Sequence, residues 1–337
     1  MKSRSWLRLG PVAVLVLAPV LSLTGCAAGA DKVSDPKPDL SAHPVVQEGQ
    51  AQSVLDAVDG ALVRGVDPKD APNMVDARLV GPFQTLELAA ARVAAQRKSK
   101  LAQQSQIQRL RLIVPVSSGW PRFFIAVGSS RDTSTPVLRV LTSATARAPY
   151  GLWAQTTMLP GATLPPTAPV ATGSAVLGAD AAGLVASPKE VLSGFAGYLN
   201  SGARTTASRP FRRSVYSDQL IQRLASDRKS LGQAGLGTVS SRHVVGPAGP
   251  LAVRTADGGA LVIGELEQTY VIKIKKGKGH VEVTDQDLAA LAGGKKQFST
   301  SFTRTAVEVV VFSVPARGQG LITVIAAQKG DVKAVAK

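Results

Sequence analysis

The order of hydrophobic periodicities constrains this chain most: two stretches with helical spacing lead into a run of short alternating segments, and the same order then comes round again. Val54, Leu55, Val58, Leu62 and Val63 recur at helical spacing, and a second helical run from Phe83 to Lys100 follows the Gly81-Pro82 start signal. From Ile107 the period shortens to two. I-Q-R-L-R-L-I-V-P-V, R-F-F-I-A-V-G, P-V-L-R-V-L-T-S-A-T and Y-G-L-W-A-Q-T-T-M-L are joined by short turn signals, the pattern of an antiparallel sheet. The second cycle opens at Ser187-Pro188-Lys189-Glu190, a capping box with proline at the first helical position, with a helix to about Asn200 and another over Ser214 to Gln233. Strands are expected at about 236–245, 251–255, 260–276, 280–284, 298–303, 306–314 and 321–327, with a short helix over 285–291. This is an α+β plan: two tandem domains, each an N-terminal helix pair packed on a curved antiparallel sheet.

Between the cycles, residues 161–186 are rich in Pro, Ala, Gly and Thr and lack a period, which marks a linker. The expected division is therefore a first domain over 51–160 and a second over 187–337. Residues 26–50, polar and proline-containing, read as a tether with a root-mean-square reach of about 25 to 30 Å. His43 falls within it.

The N-terminus carries an address. Lys2, Arg4 and Arg8 precede an apolar core from Leu9 to Leu21 that is too short and proline-interrupted to span a bilayer comfortably, so residues 1–25 read as a secretory signal peptide. L-T-G-C at Leu23 to Cys26 follows. It resembles the lipobox of bacterial lipoprotein precursors, and the resemblance implies cleavage before Cys26 and diacylglyceryl transfer to its sulfur. Cys26 is the chain's one cysteine, and the thiol is the group that such alkylation requires. Two or more acyl chains hold a protein on a bilayer, where one does so only marginally at about 10⁴ M⁻¹. The expected location is the extracytoplasmic face of the cell membrane.

That address changes what the charge means. The chain has 39 Lys plus Arg against 23 Asp plus Glu, and loss of Lys2, Arg4 and Arg8 with the leader leaves 36 against 23. Outside the cytoplasm the basic excess meets phospholipid headgroups and anionic wall polymers instead of nucleic acid. One cysteine allows no internal disulfide, and three scattered histidines make no metal-binding pattern, so no cofactor is expected.

D-A-R-L-V-G-P-F-Q-T-L-E-L-A-A-A-R (Asp76 to Arg92), Y-G-L-W-A-Q-T-T-M-L-P-G (Tyr150 to Gly161) and G-G-A-L-V-I-G-E-L (Gly258 to Leu266) resemble an uncharacterised family of actinobacterial lipoproteins. The element order of each half is also similar to the cone folds of the nuclear-transport-factor-2-like or cystatin-like type. The family resemblance implies no activity, and fold analogy transfers no catalytic residue.

Catalytic motifs are missing from the sequence: no G-x-S-x-G elbow, P-loop, G-x-G-x-x-G, H-E-x-x-H or EF-hand loop occurs. Ser226 to Lys229 has S-x-x-K spacing without a companion K-T-G or S-x-N, and reads as a solvated helix face. Glu265 and Glu267, two apart in a strand, share a face, as carboxylates paired for acid and base work would. Exposed strand carboxylates are the commoner case. His243 and His280 read as ordinary satisfied or surface residues. Lys273, Lys275, Lys276 and Lys278, in V-I-K-I-K-K-G-K-G-H, place two lysines on an outward strand face and two at a glycine hairpin tip. They fit either protection of a sheet edge or contact with an anionic surface.

Three functions remain. A non-catalytic envelope lipoprotein would bind or scaffold an envelope protein, an anionic wall polymer or a small apolar ligand held in a cone. The alternative is a cone-fold enzyme with an unidentified buried acid/base pair, for which Tyr270 is a candidate. A transporter-feeding solute receptor would need alternating strands and helices, and the segregated order speaks against it.

Overall fold

The computed structural model describes residues 41–64, 78–100, 107–130, 135–202 and 205–337; Cys26 and the leader lie outside them. The first half runs β1 (His43–Pro44), α1 (Glu48–Arg64), α2 (Gly81–Arg97), β2 (Ile107–Ile113), β3 (Pro115–Ser117), β4 (Arg122–Ser130), β5 (Pro136–Ser143), β6 (Gly151–Met158) and β7 (Ser174–Ala175). The second runs α3 (Pro188–Ser201), α4 (Val215–Gln233), β8 (Gly237–Val245), β9 (Leu251–Arg254), β10 (Ala260–Ile274), β11 (Val281–Glu282), α5 (Gln286–Leu291), β12 (Gln297–Phe298), β13 (Ser301–Val314) and β14 (Thr323–Ala336).

The expectation of a separate sheet in each half is corrected. β2-β4-β5-β6 continue directly into β14-β13-β10-β8, so both halves contribute to one nine-stranded sheet with β9 beside β10. β6 of the first half and β14 of the second meet at the centre through Ala326↔Met158 and Ala327↔Thr157. The order mirrors itself about that seam. α2 lies against both strands beside it: Leu86 fills the space over Gly330, where a Cβ would come within 2.6 Å, and Arg92 donates to the Val332 carbonyl at 3.3 Å.

Alternation along each strand separates three cores. Phe124, Leu141 and Leu152 pack with Leu55, Val58, Leu62 and Phe83 of the first helix pair. Val262, Val310 and Phe312 pack with Leu192, Phe195 and Leu199 of α3. The intervening residues, Phe123, Ile125 and Val140 from one half and Leu261, Ile263, Val309 and Val311 from the other, form a shared core. The faces of the two half-sheets turned away from α1 and α3 therefore share one core, because strands with apolar residues on both faces leave no side for water; α2 borders the same face, with Gly81 against Trp153 and Leu86 over Gly330. Gly264 permits the close approach of α3, since a Cβ there would lie 2.2 Å from Leu192 Cδ2.

Local signals hold where the chemistry was explicit. The Ser187 capping box forms, with the Ser187 amide donating to Glu190 Oε2 at 2.9 Å. The segment over 161–186, expected as a linker, is hydrogen-bonded to both halves: the Leu177 amide donates to the Ala252 carbonyl at 2.9 Å and the Ser174 amide to the Val114 carbonyl at 2.8 Å. His43 belongs to the fold and not to the tether, because β1 pairs with β3 through His43↔Ser117.

Candidate functional site

In the second half, one face of β8, β10, β13 and β14 looks toward α3 and α4. Register places His243 beside Gln268, Tyr270 beside Arg304, and Glu308 between Leu266 and Lys329. A polar belt thus crosses a sheet whose deeper end carries the α3 core and whose outer end carries a cluster around Ile274, Phe298 and Phe302.

Glu308 lies at the centre of the belt and is fully buried. His243 Nε2 is 3.4 Å and Lys329 Nζ 3.2 Å from its Oε1. Neither neighbour makes a well-aligned hydrogen bond to the carboxylate. Burial pushes the Glu308 carboxyl up, but His243, the Lys329 ammonium and Tyr216 together outweigh it and hold the group below its ordinary value. Burial pushes the Lys329 ammonium down against the pull of Glu308, and it pushes the Tyr216 hydroxyl far up, with the Glu308 charge adding to that shift. Lys329 also donates to Gln268 Oε1, whose amide nitrogen donates to Ser241 Oγ at 2.8 Å.

A depressed carboxyl gives a signed pH dependence. Its stabilising share is present above the unfolded-state value of a glutamate and is lost as pH falls through the lower folded-state value. Thermal melts between pH 6 and about pH 3 therefore show the parent losing stability more steeply than Glu308→Gln, which has no proton to take up there. Parallel curves would contradict this charge assignment.

Beside the belt opens a cleft of about 770 Å³ between α4, the outer ends of β10 and β13, and the β11–α5 segment. Leu220, Leu231, Ile272, Phe298 and Phe302 supply apolar walls, and Tyr270, Arg304 and Lys329 the polar back. The Tyr270 hydroxyl donates to Asp227 on α4, and burial, with that bond second, raises its ionisation well beyond the ordinary tyrosine range. The Arg304 guanidinium lies 4.5 Å from the centre of the Tyr270 ring and pairs with Asp331 at 3.2 Å. Lys329 alone joins the cleft to Glu308; neither Glu308 nor His243 lines it.

The sequence candidates distribute unevenly. Tyr270 lines the cleft, as does Ser226, while Lys229 is exposed on α4. Glu265 and Glu267 do share a face, but it is the opposite one; burial and then the Glu267 charge raise the Glu265 carboxyl. His280 is exposed beside the lysine turn. Lys273, Lys275, Lys276 and Lys278 are all exposed. Lys273 stands on an outward strand face as expected, but the edge and hairpin readings are corrected: Lys273 pairs with Thr238 on one side and Ser301 on the other, so β10 is an interior strand, and β11 after the turn pairs with β12. The edge at β8 is covered by side chains instead. Asn200 accepts from the His243 amide at 2.7 Å and donates to its carbonyl at 2.8 Å, and Arg228 donates to the Val239 carbonyl at 3.1 Å. Among the described residues, no helix is long and apolar enough to cross a membrane, and no His, Cys, Asp and Glu cluster has the makings of a metal site.

Comparison with known proteins agrees with this geometry in extent. A family model described as a domain of unknown function, DUF8094, matches residues 42–335, from β1 into β14. An uncharacterized lipoprotein of Streptomyces avermitilis is 29% identical over 211 residues, which cover 61% of this chain and 60% of the relative's length. No solved structure matches.

Proposed function

The chain belongs to the DUF8094 family, and from that premise we propose that it is an envelope lipoprotein, anchored through Cys26 at the extracytoplasmic face of the membrane, that acts as a non-catalytic binding module. The relative's description as a lipoprotein and the L-T-G-C motif support the anchor. The cleft under α4 carries the binding reading: it is preformed, walled by apolar side chains, and backed by a few polar groups that already hold partners, Tyr270 with Asp227, Arg304 with Asp331 and Lys329 with Glu308. Such a seat suits a small, largely apolar ligand whose one polar end meets Tyr270 or Lys329.

The buried Glu308–His243 pair is the observation that favours an enzyme. Catalysis demands that an acid or base reach the reacting atoms, and Lys329 stands between this pair and the cleft. The pair is better suited to holding β8, β13 and β14 in register behind the seat.

The test uses anilinonaphthalene sulfonate, an apolar anion that fluoresces when shielded from water. The parent binds it saturably. Ser226→Trp, an exposed α4 position on the cleft wall, fills the seat without touching the core and weakens binding at least about tenfold, a change of about 1.4 kcal/mol. Equal binding by a Ser226→Trp variant with an unchanged thermal melt would remove the cleft as the ligand seat.

A further inference from the structure

The strands of the second half are longer than those they face. β10, β13 and β14 have 15, 14 and 14 residues, against 9 or fewer in the strands of the first half. Their outer ends therefore overhang the shared core, and the face that is buried at Ile263 and Val311 is open to solvent farther along the same strands.

Register fixes what that open face displays. Arg242, Thr269, Thr305 and Lys333 stand side by side across β8, β10, β13 and β14. Ser240, Val271, Thr303 and Val335 form the next row, and Lys273 and Ser301 the one beyond. Lys337 extends that last row: its amide and carbonyl both bond to Ser301, at 2.9 and 3.1 Å, so the two residues are directly opposite and share a face. Arg242, Lys273, Lys333 and Lys337 are all exposed. No acidic side chain stands in these rows; Glu267 lies in the next row inward, where burial begins and Leu86 of α2 covers Gly330.

We propose that this open face of the second half-sheet docks on a bilayer leaflet that carries anionic phospholipid. Strand spacing puts Arg242 and Lys333 about 14 Å apart, and the strand rise puts Lys333 and Lys337 about 13 Å apart. Charges so separated cannot converge on one small anion, but they match an extended anionic plane. The hydroxyls between them can donate to headgroup phosphates. A glycopolymer is the poorer fit, since the rows hold no aromatic ring on which a sugar could stack. Lys275, Lys276 and Lys278 leave the same end of β10 as Lys273 and add to the local potential.

The inference deepens the proposed membrane location and rests on it, yet its test is independent of the acyl anchor on Cys26. Residues 40–337 form one compact unit that holds every core described above, so this part can be made without Cys26. It is sedimented with phosphatidylcholine vesicles, with and without phosphatidylglycerol. Binding is expected only with the anionic lipid, falling at least about tenfold near 1 M salt, where the Debye length is about 3 Å. Arg242→Gln, Lys273→Gln, Lys333→Gln and Lys337→Gln combined reduce it at least about tenfold, and Thr269→Glu alone, which sets one negative charge amid the face, also weakens it. Undiminished binding by both variants overturns the proposal. So does loss on replacing only Lys275, Lys276 and Lys278 while the combined face variant still binds, or binding to an anionic wall polymer, or salt-sensitive dimer formation, with no binding to vesicles.

Discussion

Arg139→Met lowers the stability of the folded chain by about 3 kcal/mol, near the low end for breaking a buried ion pair. Arg139 is fully buried on β5, where its Nη1 lies 2.5 Å from Asp59 Oδ1 on α1 and its Nε donates to Gln155 Oε1 at 2.8 Å. Removing the guanidinium leaves the Asp59 carboxylate beneath a helix without its cation. Asp59 retains 15% side-chain exposure, so water can reach part of it, and that keeps the cost from the upper end of the range. The double variant Arg139→Met with Asp59→Asn, which removes both charges, recovers most of the loss. Urea unfolding of the parent, both single variants and the double variant measures this coupling. A loss under about 1 kcal/mol for Arg139→Met would put the pair in the class of surface salt bridges and remove it as a tie between α1 and the sheet.

This prediction also marks how far the sequence could be read. P-V-L-R-V-L and A-V-E-V-V-V-F were legible as strands, and Arg139 and Glu308 are the charged residues within those apolar runs. A run apolar on both faces has no solvent side, so a charge inside it must be buried and paired. That signal was available for both residues. Their partners were not, because Asp59 and His243 lie far away in the chain and ordinary local patterns surround them. The helices were legible because Gly81-Pro82 and the Ser187 capping box act within a single turn. β14 was expected to stop near Ala327 because Gln328, Lys329, Gly330 and Asp331 break the apolar alternation. The strand continues to Ala336 because Lys329 and Asp331 are paired in the polar belt and Ala334 and Ala336 pack in the outer apolar cluster.

The joining of the halves left the faintest trace. Two residue pairs at the β6–β14 seam carry no special composition, and the shared core behind them reads locally as strands buried on both faces in any sheet. The sequence places Lys276 and Lys278 at a hairpin tip because the alternation stops at Gly277, while Thr238 and Ser301, which flank Lys273, are too polar to announce two neighbouring strands. The cleft could be found only in part: Tyr270 was a candidate, but the walls from α4 and the β11–α5 segment come together only in the fold.

Attachment to the outer face of the membrane is the central claim, and Cys26→Ser tests it with an all-or-none expectation. Cys26 is the sole cysteine and hence the sole thiol available for acylation. Two or more acyl chains anchor a protein firmly, whereas the basic face contributes only on the order of 1 kcal/mol per cation and is screened by salt. In the native host, the parent is expected in the membrane fraction after a high-salt wash. The Cys26→Ser protein is expected in the soluble fraction, or as a precursor of slower mobility that still carries residues 1–25. Equal retention after the wash together with equal mobility of the two proteins would contradict the anchored reading.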